Sequence, residues 1–165
     1  MSIIRDEIIP LDLGITPEAA VSGAVCLQTE NATFLTFNAM RQTGRPSPHG
    51  GFYTQDAGTA IVEFKRCILT RFGYPNDEAR WGIPRYKNLS YDIYEVRNST
   101  WIEDVVSMNR YSFPDTKDDY VTRHFLFTFH DSTFECLADD LTVEVVNEPF
   151  HLTFERIRKR AFKDV

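Results

Sequence analysis

The chain has 165 residues, a formal net charge of -6 and 42% hydrophobic residues, and Phe alone contributes 13 of its positions. A chain of this length fits a single domain over residues 1–165, which buries roughly 70% of the surface of the unfolded chain without disulfides or metals. The composition excludes a disordered chain, the lack of a long apolar run excludes a membrane-spanning helix, and the acidic balance argues against nucleic acid and membrane surfaces as partners.

Three widely spaced cysteines, Cys26, Cys67 and Cys136, lie in apolar stretches. An odd number of cysteines without a CxxC or Cys/His spacing predicts buried free thiols in a reducing compartment, and it predicts no zinc site. No other metal or cofactor site is predicted. The first residues carry acidic side chains among isoleucines, so they are not expected to act as a signal peptide, and we expect a cytoplasmic protein.

The N-terminal part of the chain predicts an arm and then a hairpin. Residues 1–18 form the arm, whose isoleucines Ile3, Ile4, Ile8 and Ile9 must pack against the domain or against a partner subunit. Residues 24–41 alternate on both sides of a turn at Glu30-Asn31, which predicts a hairpin that pairs Leu27 with Phe34 and Cys26 with Leu35.

Residues 43–58 hold two prolines and four glycines and predict a mobile loop. The following stretch, 59–72, reads as one strand of about 14 residues, which is long enough to need a bulge or bend near Lys65-Arg66. A strand of this length is expected to curl around a barrel or half-barrel.

A polar and aromatic loop spans 73–88. Arginine beside Trp and Tyr is the composition of protein interface hot spots and of pockets for anionic or planar ligands. The ligand-binding candidates in this loop are Arg80, Trp81, Arg85 and Tyr86. The alternative is that Trp81 only packs as a lid over one end of the sheet.

Two helices are predicted in the second half of the chain. Thr100 and Glu103 have the capping-box spacing, so a helix is expected over 101–111, after a short strand at 91–96. A further strand is expected at 141–146. Apolar residues at helical spacing then predict an amphipathic C-terminal helix over 148–163, although a strand through Phe150 and Phe154 is the alternative.

Basic residues are concentrated in the tail, 155–165, while the rest of the chain is acidic. A cation-rich helix can dock on an acidic surface of the same chain, on a second subunit, or on RNA. We favour docking on the same chain or on a second subunit, because the acidic surface of the domain is the nearest partner for these basic side chains.

The strongest pattern is a hairpin over 123–139. Phe125, Phe127 and Phe129 alternate with His124, Leu126, Thr128 and His130, and together with Phe134 they predict a core-facing aromatic surface. A two-residue turn at Asp131-Ser132, or a four-residue loop over 130–133, gives one register that pairs Phe129 with Phe134.

The other face of this hairpin holds the candidate catalytic residues His130, Glu135 and His124, together with the ligand-binding candidate Thr128. The predicted register puts Glu135 opposite Thr128 and diagonal to His130. A histidine and a carboxylate at this distance suit general base catalysis or a metal site. The alternative is a solvated face, or hydrogen bonds that serve only the fold.

Sequential hairpins without strand–helix–strand alternation predict an α+β fold. It consists of a curved, mainly antiparallel sheet or half-barrel of about 6–8 strands, one short central helix and a C-terminal amphipathic helix. The stretches RHFLFTFHDSTFECLA and RFGYPNDEARWG resemble small bacterial proteins of unassigned role.

No GxGxxG, GxSxG, HExxH or P-loop motif occurs in the chain. The sequence therefore predicts a non-catalytic cytosolic binding or interaction protein that forms a homo-oligomer through its N-terminal arm or C-terminal helix. The alternative is a protein that binds a small anionic ligand, or an enzyme, with a His/Glu site on the concave face of the sheet.

Overall fold

A computed structural model describes residues 6–20, 23–115 and 122–163. Its strands and helices follow in this order: β1 (Glu7–Pro10), β2 (Thr16–Pro17), β3 (Val25–Gln28), β4 (Thr33–Pro46), β5 (Phe52–Lys65), β6 (Leu69–Gly73), α1 (Asp77–Arg80), β7 (Ile93–Arg97), α2 (Thr100–Ser112), β8 (Arg123–Thr128), β9 (Thr133–Ala138), β10 (Asp140–Val146) and α3 (Phe150–Ala161). None of the helices in these residues is long and apolar enough to cross a membrane.

Two curved antiparallel sheets form the molecule, and they confirm the predicted α+β fold. The first sheet has the strand order β1-β7-β8-β9-β6, and the second has the order β10-β5-β4-β2, with β3 also paired to β4. The described residues contain more strands than predicted. The stretch 59–72 divides into two strands, and the N-terminal arm adds two short ones.

The two sheets meet at a corner where two paired strands bend together. Lys65 pairs with Asp140 on one side of the corner, and Leu69 pairs with Leu137 on the other. Between these pairs Arg66 has a positive φ of 47°, which is uncommon for a residue other than glycine, and its side chain forms an ion pair with Asp139. The bend predicted near Lys65-Arg66 is therefore this corner.

The core lies between the sheets and is largely aromatic. Phe125, Phe127 and Phe134 of the first sheet pack against Phe64 of the second, with ring centroids 5.4 to 6.1 Å apart. Each such aromatic pair adds about 0.5–1.5 kcal/mol beyond the burial of its area. The predicted core face of the hairpin 123–139 is confirmed, because all four of its Phe side chains are buried.

The register predicted for this hairpin is wrong by two residues. Phe127, not Phe129, pairs with Phe134, and the backbone N–H of Phe129 donates to the Ser132 carbonyl at 2.9 Å across a four-residue connection, 129–132. Asp-Ser is poorly suited to a two-residue turn, which needs positive φ at its central positions. A shift by two keeps every side chain on its face. The register of the hairpin within 24–41 is confirmed.

The N-terminal arm belongs to both sheets. β1 pairs with β7 at the edge of the first sheet, and β2 pairs with β4 in the second. Ile8 packs against Tyr94 and Val96. Ile3 and Ile4 lie outside the described residues.

The loop predicted over 43–58 is much shorter in the structure. β4 and β5 continue as paired strands into this segment, so the connection itself spans only 47–51. Gly58 has a φ of 102°, and a Cβ at this position would collide with the carbonyl of Val146. The glycine is therefore required by the close approach of β10 and not by a flexible loop.

The amphipathic helix predicted over 148–163 is present as α3, and the alternative of a strand there is wrong; α3 covers the outer face of the second sheet. Ile157 and Ala161 pack against Phe34 and Ile61. The arginines of the tail pair with acidic side chains of the same chain. Arg156 pairs with Glu144 and Glu148, Arg160 with Glu63 and Glu144, and Arg158 with Glu155.

Candidate functional site

The outer face of the first sheet holds three of the eight predicted site residues, and this part of the face is buried. The segment 74–92 and the first turn of α2 cover it. His124, Thr128 and Glu135 are therefore almost inaccessible to solvent. The alternative of a solvated face is wrong for these three residues, because a second layer of chain excludes water from them.

His124 and Glu135 form the centre of a buried hydrogen-bond network. Nε2 of His124 lies 3.0 Å from Oε2 of Glu135, and Nδ1 lies 2.8 Å from Oγ of Ser99. The ring of Trp101 contacts the His124 ring edge-on, with centroids 5.2 Å apart. Both ring nitrogens of His124 are thus occupied by neighbours within the protein.

The Glu135 carboxylate has further partners from the segment 74–92. The hydroxyl of Tyr86 donates to Oε1, and Nη2 of Arg85 lies 3.6 Å from Oε2 and 3.2 Å from Oδ2 of Asp6. Burial by itself raises the pKa of Glu135, but the His124 hydrogen bond, the Arg85 charge and the Tyr86 hydrogen bond together hold it below its usual value. Burial and the Glu135 charge raise the pKa of Tyr86. A charged carboxylate thus faces a neutral phenol.

His124, and not His130, is the histidine next to Glu135. The cause is the two-residue register shift, since Glu135 stands opposite Leu126 and is diagonal to His124. His130 lies in the connection between β8 and β9, where it contacts Asp131 at 2.8 Å and Asp77 at 3.7 Å and stacks on Tyr91. The hydrogen bond to Asp131 and the charge of Asp77 raise its pKa.

Thr128 holds the chain that covers the sheet. Its hydroxyl donates to the Ser90 carbonyl at 2.5 Å and accepts from the backbone N–H of Asp92 at 3.0 Å. Both contacts are to backbone groups. Thr128 therefore fixes the segment before β7, and it lines neither of the two cavities described next.

The first cavity, the loop cavity, lies in the segment 77–91 and has a volume of about 400 Å³. Its lining includes the predicted candidates Arg80, Trp81 and Tyr86, together with Lys87 and Tyr91. Arg85 is outside this lining. Trp81 is 69% exposed, so it stands at the mouth of the cavity and does not pack as a lid over the sheet.

The second cavity, the α2 groove, lies between α2 and the outer face of the first sheet near the corner. It has a volume of about 510 Å³, and its apolar walls are Ile68, Ile102, Val105, Val106, Met108 and Leu137. Its polar lining consists of Arg66, Asn109, Ser112, Thr122 and Asp139. The apolar side chains of α2 recur at helical spacing, so the sequence indicates the face but not the empty space beneath it.

Four further residues of the buried network were missed by sequence reasoning: Asp6, Arg71, Ser99 and Trp101. Arg71 pairs with Glu135 in the β6–β9 register, and its guanidinium stacks 3.9 Å above the Trp101 ring. Ser99 caps α2, since the backbone N–H of Ile102 donates to its Oγ at 3.2 Å. The predicted cap was Thr100, one residue later. The position of Ser99 directly before the helix is the sequence feature that could have identified it as the cap.

The three cysteines are free thiols. Cys136 is buried, as predicted, whereas Cys26 and Cys67 are half-buried against the same core. A hydrogen bond with Cys136 lowers the pKa of Cys67 to about 7, and burial raises the pKa of Cys26 to about 11. In the described ranges, no group of three or more His, Cys, Asp or Glu side chains is arranged to hold a metal ion.

In comparisons with known proteins, no family model, no curated protein and no solved structure matched the chain, so its function is argued from its geometry.

Proposed function

We propose that the protein is a non-catalytic binding protein whose α2 groove accepts an elongated apolar ligand. The observation that carries this proposal is the groove itself. Its volume of about 510 Å³ falls within the range of about 300–1,000 Å³ that is usual for small-molecule sites. Apolar side chains of α2 form one wall and those of the sheet and corner form the other.

The exposed apolar surface around the groove favours the binding of an apolar ligand. Met108 is 63% exposed and Ile68 is 52% exposed. Covering apolar area contributes about 25 cal/mol for each Å² removed from water, and the flexible Met side chain can adapt to an irregular ligand. An apolar ligand would therefore gain stability from these side chains without any new hydrogen bond.

The polar lining of the groove favours an uncharged head group. Arg66 and Asp139 already form an ion pair there, so neither charge is free to select an ionic ligand. The pair still offers hydrogen-bond donors and acceptors. We therefore propose an aliphatic chain that ends in a hydroxyl or amide group.

The buried network supports binding over catalysis. A general base needs an accessible lone pair near the substrate, whereas both ring nitrogens of His124 contact Ser99 and Glu135. Neither His124 nor Glu135 lines the loop cavity or the α2 groove. We assign this network to holding α2 and the segment 74–92 on the sheet.

A fluorescence titration tests the proposal. A dansyl-labelled aliphatic alcohol is titrated into the protein and then displaced with dodecanol. Val106→Trp fills the groove and is expected to weaken binding at least about tenfold, because the side chain takes the ligand's volume. Ser107→Trp is the matched control, since Ser107 is exposed on the opposite face of α2. Equal affinity of the Val106→Trp variant and the unaltered protein would contradict the proposal.

Self-association is a second candidate, through the edge strand β6. Phe72 on this strand is 45% exposed, and Leu69 and Ile68 are exposed beside it. An edge strand with exposed apolar side chains is a typical contact surface. The segments predicted to mediate association pack Ile8, Ile157 and Ala161 within the chain, while Leu152 and Phe162 of the C-terminal segment are exposed and offer a further contact surface.

Sedimentation velocity at micromolar concentration tests this second candidate. Phe72→Lys is expected to shift the protein toward monomer, because a charge on the strand edge opposes pairing. Tyr53→Lys, at a similarly exposed aromatic residue of the β4–β5 hairpin, is the matched control. A monomer at every concentration of the unaltered protein would rule the candidate out.

We also propose a cytoplasmic location, because three free thiols suit a reducing compartment, and a bacterial origin on the resemblance of the sequence to small bacterial proteins. RNA binding is not favoured, since the arginines of the tail are already paired with acidic side chains.

A further inference from the structure

Arg80 is a buried cation that forms no ion pair with a carboxylate of the described residues. It is 3% exposed, and its Nη1 donates to the Phe129 carbonyl at 2.7 Å. Its buried Nε has no hydrogen-bond partner among the described residues. Arg85 and Arg123, by contrast, each pair with two carboxylates.

Asp77 is the acidic side chain whose charge acts on Arg80, but its carboxylate is bound to other groups. Asp77 accepts a hydrogen bond from the Tyr91 hydroxyl at 2.5 Å and lies 3.7 Å from Nε2 of His130. Burial lowers the pKa of Arg80, and the charge of Asp77 offsets this effect only in part. A buried charge in this condition is stabilised by any anion that can reach it.

The loop cavity gives such an anion a place to bind. Arg80 lines it together with Lys87, and the aromatic rings of Trp81, Tyr86 and Tyr91 form much of the remaining wall. The guanidinium carbon of Arg80 lies 5.6 Å from the centre of the Tyr91 ring. Asp77 and Glu78 also line the cavity, but Asp77 is bound to Tyr91 and Glu78 is exposed.

We infer that the loop cavity binds a small aromatic carboxylate. The carboxylate pairs with the Arg80 guanidinium and the Lys87 ammonium, and the aromatic ring lies against Trp81. A guanidinium matches a carboxylate in geometry and charge, and aromatic side chains favour planar ligands over aliphatic ones. This site is separate from the α2 groove and does not depend on it.

Sodium benzoate is the probe, and tryptophan fluorescence and calorimetry are the measurements. The chain has two tryptophans, and Trp101 is buried, so the exposed Trp81 reports on the cavity. We expect a saturable fluorescence change that is lost in Trp81→Phe. Benzamide has the same shape without the charge and is expected to bind at least about tenfold more weakly, since a hydrogen bond to a charged group is lost.

Two variants test the cationic side chains. Arg80→Met is expected to abolish binding of benzoate, and circular dichroism checks that the variant is folded. Lys87→Met tests the site even if the Arg80 variant does not fold, because Lys87 is exposed, and a loss of about three- to tenfold in affinity is expected. Lys65→Met, on the exposed end of β5, is the matched control and should bind as the unaltered protein does.

Three results would overturn the inference: benzoate and benzamide binding equally, Lys87→Met leaving the affinity for benzoate unchanged, or Lys65→Met reducing it as much as Lys87→Met does. The first result would show that the charge is not recognised. The other two would show that the binding is not at the loop cavity.

Discussion

The helices α2 and α3 each lie on the outer face of one of the two sheets, but they are attached in different ways. α3 buries Thr153, Ile157 and Ala161 along its length, whereas α2 buries only Trp101, in its first turn. An amphipathic pattern therefore identifies the face that a helix turns inward, but it does not show how closely the helix approaches the sheet.

Local chemistry explains the two attachments. Two arginines of α3 pair with glutamates on β5 and β10. This helix is therefore held by ion pairs to the sheet as well as by its apolar face. α2 is held at its start by the Ser99 cap and by Trp101, which lies between His124 and Arg71. Its later turns stand over the α2 groove.

The largest expected effect separates the two helices by stability. Ile157→Ala in α3 is expected to lower the free energy of unfolding by about 3 kcal/mol, because it leaves a cavity at a fully buried position. Ile102→Ala in α2, at a half-buried position, is expected to cost about 1 kcal/mol. Urea unfolding measures both. Equal losses would mean that α2 is packed as closely as α3.

The buried network under α2 gives the next effect. Glu135→Gln keeps the shape of the side chain but removes the charge that faces His124 and Arg85, and it is expected to cost about 2–3 kcal/mol. Urea unfolding again provides the measurement. Glu148→Gln near α3 is the control, since that carboxylate is paired with Arg156 at the surface and should matter little. A loss of similar size in the control would contradict a special role for Glu135.

The helix caps give a smaller difference. Ser99→Ala removes the side chain that accepts from the Ile102 N–H and contacts His124, and we expect a loss of about 1 kcal/mol. Pro149, at the start of α3, makes no side-chain hydrogen bond to its helix, so Pro149→Ala should change stability far less. Thermal unfolding followed by circular dichroism checks both variants, and similar midpoints for the two would contradict this assignment of the α2 cap.

The smallest effect is a change in acid sensitivity. The pKa of Glu135 is lower in the folded protein than in the unfolded chain, so its contribution is complete above the unfolded pKa of about 4.3 and is lost as the pH falls through the folded value. The Glu135→Gln variant should therefore lose less stability than the unaltered protein in this acidic range. Urea unfolding from pH 6 down to pH 3 tests this, and parallel losses in the two proteins would speak against it.

Much of the fold could be predicted because it depends on alternation along the chain. Period-two patterns identified the aromatic core face, and the apolar spacing identified α3. The register of the hairpin 123–139 could not be predicted, because a shift by two residues leaves both faces unchanged and depends on the geometry of the connection. The loop over 43–58 was predicted too long, because pairing between β4 and β5 outweighs the turn preferences of its glycines.

Less of the candidate site could be predicted. Glu135 and His124 were named, but the histidine expected beside Glu135 was His130, which follows directly from the register error. Arg85 and Tyr86 reach Glu135 from a separate loop, and no spacing in the sequence links them. The α2 groove depends on the distance between a helix and a sheet, which no local pattern encodes.

At the corner formed by Arg66 and Asp139 the two sheets are continuous, because paired strands pass from one sheet into the other. The β5–β10 ladder continues through the corner as the β6–β9 ladder, so a change in the orientation of one sheet also moves the other. The corner includes four residues that also line the α2 groove: Arg66, Ile68, Leu137 and Asp139. The angle between the two sheets at this corner therefore shapes the α2 groove together with the position of α2.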